Sequence, residues 1–459
     1  MSSTLIAAAA DDGLVGAYAA LLLASLDMPI SLPAFGPDPH PALVCAESGL
    51  MALTGEAAGP PQLCPAPIAS CANGVLRAWR AAFGPSRLDT LDGAQLLTER
   101  AAIMGLQRQG AIAPGGGCRL LQAADGWIAL NLVRDEDRLA VPAWLECESN
   151  GEWDSIAAIL PQRHCKELVE RGSLLGLAVA EMKRSSTPSD GWYRITHRGR
   201  AERRAAVVRP PLVVDLSSLW AGPLCGHLLH LAGARVIKVE SLSRPDGARR
   251  GNEAFFDLLN CGKASVALDL GEQRGRDTLR ELLRHADIVI EASRPRALRQ
   301  MGIVAEELID ERPGLSWIAI SGYGRDGGVE NRVAFGDDAG VAAGLSALMH
   351  EVSGLPLFCG DAIADPLTGL HAALLAWSAW RDGGGRLLSI SLCDVVAHCI
   401  GDALTMVPPT LKQRHAEWTT VLATKGVSAA APRSRAVTGA ARALGADTDA
   451  VLSLLGIQR

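Results

Sequence analysis

Residues 211–240 read PLVVDLSSLWAGPLCGHLLHLAGARVIKVE. LVVD is a short apolar run that ends on a carboxylate, and RVIKVE is a second such run. Between them AGPLCGHLLHLAG has the apolar spacing of a helix closed by glycine. Strand, helix and strand in that order form a βαβ unit, whose two strands run parallel. The alternation continues with ASVALDL, helical GEQRGRDTLRELLRHA, then DIVIEA, LSWIAISGYG, a long helix after Asp365, and RLLSISL. Short Val- and Ile-rich runs between helices predict an α/β fold: a Rossmann-like parallel sheet covered on both faces. Ligands of such folds collect at the carboxyl ends of the strands.

The usual phosphate and nucleophile signatures are missing. The first strand is not followed by GxGxxG, and the chain contains neither GxxxxGK[ST] nor GxSxG. Dinucleotide binding by the common loop, P-loop chemistry and elbow-type serine hydrolysis are therefore unsupported. The 459 residues are 48% hydrophobic and 20% charged, with net charge −6, which is ordinary globular composition. No basic block points to nucleic acid. SLSRPDGARR (241–250) does gather Arg244, Arg249 and Arg250, which suits a small phosphorylated ligand. The eleven cysteines show no CxxC and no metal spacing, so no metal is expected and reduced thiols in the cytoplasm fit best. GLVGAYAALLLASL (13–26) is too short to span a membrane and reads as a core helix.

Before residue 211 the texture changes. Residues 100–205 contain GAIAPGGGCR, then DGWIALNL and helical LPQRHCKELVERGSLLG, the pattern of a smaller α+β domain. RSSTPSDG (184–191) and RGRAERRAAVVRPP (198–211) are candidate linkers. Residues 408–436 read as a long connection.

An internal repeat organises the whole. Gly49–Gly74 aligns without a gap on Gly344–Gly369, an offset of 295 residues. Leu50/Leu345, Ala52/Ala347, Leu53/Leu348, Gly59/Gly354, Pro61/Pro356, Cys64/Cys359, Ile68/Ile363 and Ala69/Ala364 match. So long a period implies duplication of a domain-sized unit. Asp365, before Pro366, stands where a helix N-cap is expected, and its counterpart is Ser70. Either residue caps a helix, but only one copy keeps a carboxylate, so capping does not account for Asp365.

The ordered set DLSSLWAGPLCGHLLHLAGARVIKVE, LNCGKASVALDL, DIVIEASRPRALRQMGI, ISGYGRDGG, ADPLTG and ALGADTDAVLSLLG resembles the class III CoA-transferase family, which includes formyl-CoA and carnitine CoA-transferases and alpha-methylacyl-CoA racemase. The match covers 211–400 and 436–459. In the first half, GPPQLCPAPIASCANG resembles the family's catalytic-aspartate segment without its aspartate, and GAIAPGGGCRLLQAADGW resembles the start of its small domain. The resemblance implies a fused, trimmed pair of units. Residues 1–99 would be a degenerate lobe, 100–205 the small domain, 211–407 the CoA-binding catalytic domain, and 408–459 a connection with the last helix.

By this resemblance Asp365 is the nucleophile that attacks an acyl-CoA thioester. A helix N-terminus suits such a group, because it favours the anion and offers N–H donors to a developing oxyanion. Ala221, Gly222 and Pro223 would form the turn that CoA approaches, although a plain tight turn explains them equally well. Arg294 would bind a phosphate or pantetheine oxygen, in a segment where Ala292, Ser293 and Arg296 depart from the family's Asn, Phe and Gly. Arg249 and Lys263 are candidate phosphate partners, or solvated charges. Met301 would lie beside the adenine, or pack in the core. Asp337 follows Gly336 where family members carry Tyr-Asp or His-Asp, which argues against a two-base racemase. Gly115, Gly116 and Gly117 would be the family's mobile loop, or an ordinary turn.

The expectation is a CoA-transferase that takes an acyl-CoA and a small carboxylic acid as substrates. It needs no tightly bound cofactor, has no nucleic-acid or membrane partner, and works as a homodimer or a pseudo-dimer. Racemase or isomerase chemistry on the same scaffold, and a non-catalytic acyl-CoA-binding or partner subunit, are the alternatives.

Overall fold

The computed structural model describes residues 13–28, 37–184, 191–202, 209–401, 403, 406 and 409–458. Two sheets organise it. The smaller holds β1 (Cys118–Gln122), β2 (Trp127–Asn131) and β3 (Ala178–Glu181), paired antiparallel in that order. Helices Asp135–Leu145 and Cys165–Leu175 accompany it, around a core that includes Ile128, Leu130, Trp144, Trp153 and Val179.

The larger sheet has seven strands: β4 (Tyr193–Arg198), β5 (Leu212–Asp215), β6 (Arg235–Ser241), β7 (Ala264–Leu268), β8 (Ile288–Glu291), β9 (Ser316–Ser321) and β10 (Arg386–Ser391). Their order is β4-β10-β9-β8-β5-β6-β7, parallel throughout except for antiparallel β4 on the edge. This is the doubly wound arrangement. The chain runs outward from β5 through β6 to β7, then returns to β8 on the other side of β5. The switch point thus lies between the carboxyl ends of β5 and β8, where a ligand crevice is expected.

Alternation along the strands separates two cores. Val213, Ile288, Ile290, Ile318, Ile320, Leu388 and Ile390 face one. Leu212, Val214, Val289, Trp317, Ala319 and Leu387 face the other. Because both faces are covered, the strands lack polar alternation, which is what made them legible as apolar runs.

Six helices position the candidate site: α1 (Leu14–Ser25), α2 (Ile68–Phe83), α3 (Glu99–Met104), α4 (Ala221–Leu231), α5 (Gly336–Ala342) and α6 (Ala364–Arg381). α6 packs along α4 so closely that a Cβ on Gly369 would come within 2.7 Å of the Ala221 carbonyl oxygen. α5 lies beneath β2 and β3 and also contacts α6, so it joins the small sheet to the large domain. The final helix, Thr448–Leu454, docks on β7, where the Thr448 hydroxyl accepts from the Ala267 N–H.

Two expectations change here. β4 lies within 100–205 in sequence but belongs to the large sheet, because β10 offers it an open edge. The small domain therefore ends with β3 and the few residues after it. Residues 185–190 and 203–208, the centres of the two expected linkers, lie outside the described residues.

The repeat is visible as structure. Gly49 and Gly344 are both left-handed, at φ 89° and 103°. α2 and α6 begin one residue apart in the repeat register. The matched thiols of Cys64 and Cys359 lie close enough that Cys359 helps raise the Cys64 pKa.

Candidate functional site

Asp365 is not an N-cap. The cap position of α6 is Ile363, no side chain caps the helix, and Asp365 lies within its first turn. Ser70 is likewise inside α2, whose cap position is Pro67, and its buried hydroxyl has no hydrogen-bond partner. The cause of the early start in α6 is Ala362, held at φ 42°, where a residue with a Cβ is strained. Its N–H donates to Asp337 Oδ1 at 2.8 Å, and its carbonyl accepts from the Asp365 N–H at 2.9 Å. The Asp365 carboxylate is thus released from capping and turned toward its neighbours.

Those neighbours are two other helix N-termini. The first residues of α4 and α5, Ala221 and Gly336, lie beside the Asp365 carboxylate, where their backbone N–H groups favour its ionised form. A Cβ on Gly336 would collide with Asp365 Oδ2 and the Ala362 carbonyl. Glycine is what lets the start of α5 lie against the carboxylate. Burial drives the Asp365 pKa up to about 6, opposed by the Arg100 guanidinium and these N–H donors. The group is therefore mostly ionised at neutral pH, yet more basic than an exposed aspartate.

Arg100 comes from α3, in the first half of the chain. It grips Asp361 with two hydrogen bonds, Nε to Oδ2 at 2.7 Å and Nη2 to Oδ1 at 2.6 Å. It also lies 5.1 Å above the ring of Trp220, the residue before α4. Asp361 is fully buried. Asp337, on α5, faces the same cluster, and burial with the Asp361 charge lifts its pKa to about 7. Next to it Asp338 is also raised to about 7 by burial, and its Oδ1 accepts from Asn131 Nδ2 at 3.2 Å.

The glycine loop lies beside this cluster. A Cβ on Gly115 would stand 3.2 Å from Arg100 Nη2 and 3.6 Å from Asp361 Oδ1. Gly116 is left-handed at φ 79° with open space around it, and Gly117 abuts Val133. Asp365, Asp337, Gly115, Ala221, Gly222 and Pro223 are thus gathered in one region. Gly222 is buried against the Ser217 side chain, and Pro223 gives its carbonyl to Lys263.

Two expected phosphate partners are otherwise engaged. Lys263 is fully buried, and its ammonium donates to Asp215, Asn260 and the Pro223 carbonyl, which uses all three donors. It ties the β5–α4 turn together and presents nothing to a ligand. Arg249 forks onto Glu240, 2.8 Å from Nε to Oε1, and lies over the Phe256 ring at 4.5 Å. Met301 packs against the core on the side of the sheet that holds Trp317. Arg294 behaves differently. It is exposed just past the carboxyl end of β8, and partial burial and the charges of Arg296, Arg134 and Arg244 press its pKa down. Arg244, Arg294 and Arg296 make no ion pair among the described residues, so the switch point carries a rim of uncompensated positive charge.

Arg100, Asp361 and Trp220 were not singled out in the sequence. Asp361 lies in the same short loop as Asp365, which is a usable signal. Arg100 has none, because its partner is 261 residues away.

The sequence model for CoA-transferase family III matches residues 211–432. A succinyl-CoA–D-citramalate CoA-transferase from Chloroflexus aurantiacus is 33% identical over 195 residues, covering 40% of this chain and 48% of the relative. A succinate–glutarate CoA-transferase from Agrobacterium fabrum is 31% identical, covering 41% and 52%. A formyl-CoA:oxalate CoA-transferase from Streptomyces avermitilis is 32% identical, covering 38% and 44%. The chain spans about half the length of the curated relatives it matches. No helix among the described residues is long and apolar enough to cross a membrane. Over residues 211–432 the chain is similar to CoA-transferase family III.

Proposed function

We propose that this protein moves CoA between an acyl-CoA and a carboxylic acid, with Asp365 as the covalent carrier. The observation that carries the reading is the packing of the first residues of α4 and α5, Ala221 and Gly336, around one largely buried carboxylate. A carboxylate is a weak nucleophile, so covalent catalysis needs one that is ionised, partly desolvated and aimed. Asp365 attacks the thioester carbonyl, a mixed anhydride forms, and the CoA thiolate leaves. The thiolate then attacks the Asp365 carbonyl, releasing the donor as its carboxylate and leaving an aspartyl-CoA thioester. The acceptor carboxylate attacks that thioester, a second anhydride forms and the thiolate leaves again. Its attack on the acceptor carbonyl yields the new acyl-CoA and regenerates Asp365. The Ala221 and Gly336 N–H groups are placed to stabilise the oxyanions of these steps.

The exposed arginines at the switch point, Arg294 with Arg244 and Arg296, fit the phosphates of CoA, and the Ala221–Pro223 turn leads from them to Asp365. The glycine loop at Gly115–Gly117 closes over the acyl group. Gly336 supports transfer over racemisation, since no basic side chain can occupy that position beside Asp365. The duplicated segments serve as an internal pseudo-dimer with one working carboxylate.

The test is CoA exchange with the substrates that the relatives' names supply, succinyl-CoA or formyl-CoA with dicarboxylic acceptors. Wild type is expected to exchange and Asp365→Asn to fail while retaining its fold. Equal exchange by both would end the reading.

A further inference from the structure

Helix α3, in the first half of the chain, sends a side chain into the Asp365 site. α3 is anchored by Glu99, fully buried and paired with Arg435 of the C-terminal connection, whose Nη2 donates to Oε2 at 2.9 Å. The next residue, Arg100, then points toward Asp361, Asp337 and Asp365. Its position is fixed three ways: the two-pronged bond to Asp361, the Trp220 ring, and the close approach of Gly115. Three carboxylates surround this one guanidinium. Asp361 takes it directly, while Asp337 and Asp365 feel its charge.

We infer that Arg100 is the positioning cation of the Asp365 site: it clamps Asp361 and supplies the positive field under which Asp365 works. The inference rests on the reading of Asp365 as the carrier and adds a residue contributed by the first half of the chain. Among the described residues no other cation takes that place. Charged groups reach Asp365 as Arg100 from α3, Asp361 from the preceding loop and Asp337 from α5. α4 brings only the Ala221 N–H, because its His227 and His230 face Lys263 and Arg87. On α6 itself His371 is bound to Tyr18, and in helix Leu392–Cys399 Asp394 faces Arg194 and Asp326. Without Arg100, burial and two neighbouring carboxylates would all favour a proton on Asp365. A protonated Asp365 cannot attack a thioester.

The experiment is a 13C NMR titration of the Asp365 carboxyl in the full chain, assigned by the signal that Asp365→Asn loses, together with pH profiles of CoA exchange. In Arg100→Met the midpoint is expected to rise by about one pH unit or more, and in Asp361→Asn to fall below that of wild type. Arg100→Lys, which keeps the charge but not the fork, is expected between wild type and Arg100→Met. The kcat of Arg100→Met should drop about twofold or more at neutral pH, approach a tenfold deficit below about pH 6, and recover in alkali, with little change in KM. A merely structural arginine would lower kcat by one factor at every pH. Unchanged Asp365 midpoints in folded Arg100→Met and Arg100→Lys would overturn the inference. If wild type exchanges no CoA, the transferase reading falls, while the NMR midpoints still decide for or against Arg100.

Discussion

Gly336 has no side chain, and the space its Cβ would take is filled by Asp365 Oδ2. This close packing sets the first residue of α5 against the carboxylate. Gly336→Ala must push Asp365 away or shift the start of α5. The expected result is a folded protein whose CoA exchange falls by about a hundredfold or more, because displacement of a nucleophile by an ångström costs that order of rate. Exchange kinetics beside a melting curve check it; wild-type exchange by a folded variant would show that the contact is incidental.

Asp338 and Asn131 are both fully buried, and Asp338 Oδ2 and Asn131 Oδ1 are left without a partner. A proton on Asp338 would supply the missing donor. Its folded pKa is about 7, above the ordinary 3.8, so this group's contribution to stability is complete below about pH 4 and is lost as pH rises through 7. Asp338→Asn carries a permanent donor at the same place. It is expected to be more stable than wild type at pH 8 by about 1 kcal/mol, and to lose the advantage near pH 4. Denaturant melts at the two pH values measure the difference; a variant less stable at pH 8 would contradict it.

Lys263 and Arg294 should separate cleanly. Lys263→Met strands Asp215 in the core and is expected to cost about 3–5 kcal/mol of stability. Arg294→Ala removes an exposed charge at the switch point. It should leave the melting temperature nearly unchanged and weaken CoA binding about tenfold, a difference of about 1.4 kcal/mol. Calorimetric titration with CoA and thermal melts on both variants distinguish the roles.

These contrasts show where sequence reading succeeded and why it stopped. The parallel sheet was legible because strands such as Val213–Val214 and Ile288–Ile290 are covered on both faces and so are apolar without alternation. The repeat was legible because Gly49 and Gly344 meet the same left-handed requirement. Asp365 was singled out, but its place in the helix was misjudged, since α6 starts earlier than the Asp-Pro pair implies, after the left-handed Ala362. Arg249 looked like a phosphate ligand although its partner Glu240 stands only nine residues before it, whereas Lys263 did so because its partner Asp215 is 48 residues away. Arg100 was invisible for the same reason at longer range.

The acid limb of activity offers another check. If Asp365 must be ionised to attack, kcat/KM falls below about pH 6 with a slope of one proton. A limb near pH 4 would indicate that an ordinary exposed carboxylate controls the reaction.

The most direct test is to incubate the protein with acyl-CoA, quench with hydroxylamine, and read the peptide that contains Asp365 by mass spectrometry. A hydroxamate at Asp365, absent without acyl-CoA and absent from Asp365→Asn, is the predicted result. An unmodified Asp365 peptide from protein that is turning over CoA would contradict the covalent route.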